Sequence, residues 1–127
     1  MIYFVAYEVS NMTYLKSRDP KVEELHKVYC KEIPNYLQDL LDLPELSRLN
    51  GIDVNAGIPL SGFHVYNYHY SELDHSLGVA LILNEFVTNK PQVLAALFHD
   101  IAVPAFSYAT TYIAEENFDK DDVSLSN

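Results

Sequence analysis

Cysteine is nearly absent from this chain: Cys30 is the single one in 127 residues. An internal disulfide is therefore excluded, and a reducing cytoplasm is the expected setting. Positive charge is scarce too. Eight Lys and Arg stand against eighteen Asp and Glu, for a net charge of -10. That balance argues against duplex nucleic acid or an anionic membrane surface as the main partner. It leaves room for a phosphorylated small molecule, because a bound cation supplies positive charge locally. No run of about 18 apolar residues occurs, so no membrane span is expected. The apolar opening (Ile2, Tyr3, Phe4, Val5, Ala6, Tyr7, Val9) has no basic stretch before it and no small-residue cleavage site after it, which argues against a signal peptide. The chain has no repeat and no low-complexity segment.

What is present suits one packed domain. Hydrophobic residues make up 49%, enough for a core, and ten Tyr with six Phe supply aromatic bulk. Residues 1–18 are rich in β-branched and aromatic types and are expected to form a short strand or an arm. Residues 19–127 read as an all-α domain. Asp19-Pro20 is a cap followed by a proline at the first helical position. Val22, Leu25, Val28 and Tyr29 then recur at helical spacing. Pro34 breaks that pattern. A second helix carries Tyr36, Leu37, Leu40 and Leu41. A third, short one after Asp42 holds Leu46, Leu49 and Ile52. Gly51, Gly57, Pro59 and Gly62 mark a loop. Phe63–Tyr70 nearly alternates and is expected to be extended.

Ser71-Glu72-Leu73-Asp74 has the form of a helix-capping box. The helix it opens is expected to run to Val87, with His75, Val79, Ile82 and Phe86 on one buried stripe. A further helix is expected from Lys90 to Ile101, and another over Phe106–Ala114. The acidic tail Glu115–Asn127 is expected to fray.

Of the five histidines, His99 stands out because Asp100 follows it at the end of an apolar helix. A histidine nitrogen and a carboxylate oxygen on consecutive residues can converge on one ion where a helix ends. His75 lies one helix upstream, and packing the two helices together brings it alongside. Imidazoles with a carboxylate suit a divalent ion such as Mn, Fe, Co, Ni, Zn or Mg. Such an ion activates water and grips a phosphoryl oxygen. The dipeptide alone is weak evidence, since this composition produces one by chance about a third of the time. A histidine on an apolar stripe is commonly a hydrogen-bonded core residue. His64 and His69 are expected to be loop or surface residues.

The surrounding residues add a resemblance. Ser71-Glu72-Leu73-Asp74-His75-Ser76-Leu77-Gly78-Val79-Ala80, then Leu97-Phe98-His99-Asp100-Ile101-Ala102-Val103-Pro104-Ala105-Phe106-Ser107, resemble the HD superfamily of metal-dependent phosphohydrolases. The branch containing the deoxynucleoside-triphosphate triphosphohydrolases is the most similar. Asp42-Leu43-Pro44-Glu45-Leu46-Ser47-Arg48-Leu49 resembles a further segment of that branch. The resemblance implies an all-helical HD-type bundle and hydrolysis of a nucleotide or other phosphate ester or anhydride. It also implies a divalent metal held by His75, His99 and Asp100. Arg48 is the candidate for a phosphate-facing or structural cation.

Three features differ from the family pattern. Glu72 stands where an arginine often contacts phosphate, and Tyr108 replaces a histidine. The family's fourth ligand, an aspartate from a later helix, has no counterpart before Asn127. The domain is accordingly expected to lack the family's C-terminal helices, to bind metal weakly and to hydrolyse slowly or not at all. Apolar surface at Leu97, Phe98 and Phe106 is then expected to be uncovered and to favour a homo-oligomer. Two functions compete: a mononuclear phosphohydrolase, and a non-catalytic HD-like helical module with a binding or regulatory role.

Overall fold

The computed structural model describes residues 13–55, 58, 62 and 68–107. They form an all-α structure of six helices: α1 (Thr13–Ser17), α2 (Pro20–Tyr29), α3 (Asn35–Gln38), α4 (Pro44–Ser47), α5 (Glu72–Phe86) and α6 (Lys90–Phe98). A 3-10 turn, Arg48–Gly51, continues α4. Among the described residues no strand occurs, and one antiparallel bridge joins Asp53 to Ser71. No helix among them is long and apolar enough to cross a membrane.

Local chemistry sets the helix starts. Asp19 caps α2 by accepting from the Lys21 amide at 2.8 Å, with Pro20 at the first helical position. At α5 the Ser71 side chain accepts from the Asp74 amide at 3.1 Å, and the Asp74 carboxylate accepts from the Ser71 amide at 2.8 Å. This is the capping box expected from the sequence. Pro34 precedes α3 and Pro44 opens α4, so prolines punctuate this half of the chain.

The core is mostly leucine. Leu37, Leu41, Leu46 and Leu49 from the early helices pack against Leu73, Leu77 and Leu81 of α5 and Leu97 of α6, all fully buried. Each contributes about 1.5–3 kcal/mol relative to exposure. The three residues between α5 and α6 (87–89) make these helices adjacent neighbours with extensive mutual packing. That pairing sets His75 against His99.

Several expectations are corrected. Residues 13–17 are helical rather than a strand or loose arm; residues 1–12 lie outside the described ones. Long-range bonds, described below, override the local preference there. The stripe His75, Val79, Ile82, Phe86 is not the buried one. Phe86 is 82% exposed and Ile82 is exposed, while Leu73, Leu77, Ala80 and Leu81 face the core. Leu97 is fully buried, so it does not belong to an uncovered face; Phe106 is exposed. Helix α6 stops at Phe98, and the expected extension to Ile101 is a turn closed by the Val103 amide on the Asp100 carbonyl at 3.0 Å. Phe106 and Ser107 lie in a turn, and the rest of the helix expected to Ala114 lies outside the described residues, as does most of Phe63–Tyr70.

Candidate metal centre

His75 is the fourth residue of α5, directly after the Ser71–Asp74 capping box, which fixes where the helix begins. His99 is the residue at which α6 ends, and Asp100 is the first residue past it. The helix end lets two consecutive side chains face one point. The His99 Nε2 lies 2.8 Å from Asp100 Oδ2, and the His75 Nε2 lies 3.6 Å from the same oxygen. The two imidazoles meet edge-on, with ring centroids 5.3 Å apart and planes at 63°. One ligand atom from each residue lies within 4.8 Å of the other two, a group able to hold a metal ion. Metal bonds of about 2.0–2.2 Å place neighbouring ligand atoms roughly 3 Å apart, and the two pairs through Oδ2 bracket that spacing.

The hydrogen bonds fix the chemistry of the donors. His99 Nδ1 lies 2.7 Å from the Ala96 carbonyl oxygen. A carbonyl only accepts, so Nδ1 carries a proton there, and Nε2 is the ring atom turned toward Asp100. That nitrogen lies at hydrogen-bond distance from the Asp100 carboxylate oxygen. A nitrogen and a carboxylate oxygen so placed are joined by a positive charge, either a second ring proton or a metal ion. The three residues offer two imidazoles and one carboxylate, a donor set that a divalent cation can use. The carboxylate lies at the floor, 8% exposed, and His75 and His99 form the rim at 39% and 37%.

Behind this centre lies a polar network whose long-range members no local sequence signal pointed to. Asp74, next to His75, is buried. Its Oδ1 accepts from the Tyr14 hydroxyl at 2.5 Å, and its Oδ2 accepts from the Ser71 hydroxyl at 2.9 Å. His26 Nε2 donates to the Asp74 carbonyl at 3.0 Å, and its Nδ1 accepts from Arg18 at 3.3 Å. Both contacts require a neutral His26, and burial holds its pKa below the ordinary value. Burial and the neighbouring Asp74 carboxylate push the Tyr14 phenol far upward, so it stays a donor. The two amides opening α1 donate to Asp42: Thr13 at 3.0 Å and Tyr14 at 2.9 Å.

The other sequence candidates fall into place beside the centre. Arg48 donates from Nη1 to the Val103 carbonyl at 2.8 Å and from Nη2 to the Ile101 carbonyl. Glu72, which stands where an arginine often contacts phosphate in the family, is buried and accepts from the Ser107 hydroxyl at 2.5 Å. Ser107 holds this position with a left-handed backbone, φ 52°. His69 is exposed, lies 3.4 Å from Asp53, and is not in the group of His75, His99 and Asp100. His64, Tyr108 and the acidic tail lie outside the described residues. No protein family, curated protein or solved structure matches the chain.

Proposed function

We propose that this chain is a metal-dependent phosphohydrolase of the HD type, acting on a nucleotide or another phosphate ester or anhydride. The observation that carries the reading is the convergence of His75, His99 and Asp100 from two packed helices, with the His99 proton directed away from the centre by the Ala96 carbonyl. His75 and His99 would supply neutral nitrogens and Asp100 one negative oxygen. With two neutral rings and one carboxylate, a divalent ion leaves a net positive centre on an otherwise acidic chain. An anionic phosphate is drawn to such a point. The ion's contribution is Lewis acidity toward a phosphoryl oxygen and toward water. The half-exposed imidazole rim leaves that side open to substrate, while Asp100 closes the opposite side.

One observation favours the second reading, a non-catalytic HD-like module. Both Arg48 guanidinium nitrogens that bond are committed to backbone carbonyls. Among the described residues beyond Arg48 the one cation is Lys90, at the far end of α6 with its ammonium over the Tyr36 ring at 5.0 Å. Nine residues of helix rise about 13 Å, so Lys90 is remote from His99. Neither Arg48 nor Lys90 is thus free to meet phosphate beside the ion.

The test pairs metal analysis of the purified protein with phosphate release from a nucleotide panel in Mn²⁺ or Ni²⁺. Turnover that disappears in His99→Ala supports the hydrolase. Stoichiometric metal lost in His99→Ala, with no turnover on any substrate, selects the non-catalytic module. Failure to bind metal rejects the hydrolase and leaves the non-catalytic module.

A further inference from the structure

Asp100 contributes the oxygen that both histidines approach, yet it lies outside any helix. Its backbone belongs to a four-residue turn, and the Val103 amide donates to its carbonyl at 3.0 Å. A turn of this kind past a helix end is held by one internal hydrogen bond, and its other carbonyls need partners. Arg48 supplies them. Its Nη1 takes the Val103 carbonyl at 2.8 Å and its Nη2 takes the Ile101 carbonyl, one residue past the ligand. The fork reaches across 55 and 53 residues of sequence from the junction of α4 and the 3-10 turn. Leu46 and Leu49, on either side of Arg48, are fully buried, so the backbone that presents the guanidinium is anchored in the core.

We propose, resting on the metal reading above, that Arg48 is a positioning residue for Asp100: by clamping both ends of the segment 101–103 it fixes the direction in which the Asp100 carboxylate points. The planar guanidinium matches two carbonyls two residues apart. An ammonium is a point charge on a flexible stem and does not reproduce the fork. Arg48 thereby acts on the ion through Asp100 and does not recognise phosphate. His75 and His99 are held independently of it, by α5 and by the Ala96 carbonyl.

The test is a double-mutant cycle read by Co²⁺ titration, using the visible ligand-field bands of the bound ion, with parallel amide exchange. Arg48→Gln is expected to weaken Co²⁺ binding at least about tenfold, the usual size for loss of a residue that orients a ligand. Arg48→Lys should recover only part of that loss. In an Asp100→Asn background Arg48→Gln should have little further effect, because the group it positions has gone. The Val103 amide should exchange faster in Arg48→Gln than in the parent chain, with the α5 amides unchanged. Unaltered Co²⁺ affinity in Arg48→Gln, or an equal loss in the Asp100→Asn background, overturns the proposal. A parent chain that binds no Co²⁺ overturns the metal reading instead. The positioning claim is then decided by the Val103 amide, and unchanged exchange there rejects it.

Discussion

The Tyr14 hydroxyl donates to Asp74 Oδ1 at 2.5 Å across sixty residues of sequence. Both side chains are buried, and Asp74 immediately precedes the candidate ligand His75. A carboxylate in such a place depends on its donors, since an ionised group without partners is costly to bury.

Tyr14→Phe keeps the ring and removes that donor. It should lower stability by about 1.5–3 kcal/mol, the range for hydrogen bonds to charged groups. Urea unfolding with an unchanged m-value would measure it. A loss under about 0.5 kcal/mol would mean the contact contributes nothing.

His26 predicts how stability depends on pH. Its folded pKa is lowered from 6.5, first by burial and also by Arg18. Below about pH 6.5 the unfolded chain binds a proton that the folded chain does not. Stability attributable to His26 is therefore intact at higher pH. It falls as the pH drops below 6.5 and levels off only below the folded pKa. The slope is at most about 1.4 kcal/mol per pH unit for one group. Denaturation curves between pH 7 and pH 5 should show it, and His26→Gln should flatten it. An unchanged slope in that variant would assign the acid sensitivity elsewhere.

Gly78 lies in the interior of α5, where an added Cβ would meet the Tyr29 ring at 3.5 Å, the Tyr70 hydroxyl at 3.5 Å and His26 Nε2 at 3.6 Å. These are ordinary van der Waals contacts. Gly78→Ala should gain helix propensity of up to about 1 kcal/mol. Gly78→Leu should instead overpack the site and cost about 1–3 kcal/mol. Thermal melts of the two variants should move in opposite directions, and a destabilised alanine variant would contradict the space described here.

Metal binding should appear as stability. At a free Ni²⁺ concentration one hundred times Kd, the folded chain should gain about 2.7 kcal/mol. The gain should vanish in His75→Ala and reverse with a chelator. A Ni²⁺-dependent rise of equal size in His75→Ala would place the ion at some other site.

Several helix starts, and the convergence of His75, His99 and Asp100, were legible in the sequence, the starts from short-range pattern and the convergence with the help of the resemblance. Ser71 and Asp74 cap a helix by spacing alone, and Asp19-Pro20 and Pro44 mark starts in the same way. His99 and Asp100 stood at the end of an apolar helix and His75 on its neighbour, a placement that spacing alone left weak. The face that α5 buries was not legible. Apolar residues lie on nearly every side of that helix, so periodicity could not distinguish Leu77, which is buried, from Phe86, which is exposed. Tertiary partners decide it. The Tyr14–Asp74 and Arg48–Ile101 bonds were equally out of reach, because they join residues sixty and fifty-three apart and leave no periodic trace. Glu72 illustrates the same limit. Its position suggested a charge facing phosphate, but the Ser107 hydroxyl bond accounts for its burial.

Helix α1 has only five residues. Isolated helices shorter than about 12–15 residues are marginal in water, so α1 has almost no tendency to form alone. Its bonds run to Asp42 and Asp74, twenty-eight or more residues away. Those carboxylates reach their places only after α5 and the early helices have packed. The order of assembly follows: α1 docks late during folding and is among the first elements to detach under mild destabilisation. The stretch nearest the start of the described chain thus reports on completion of the fold rather than initiating it.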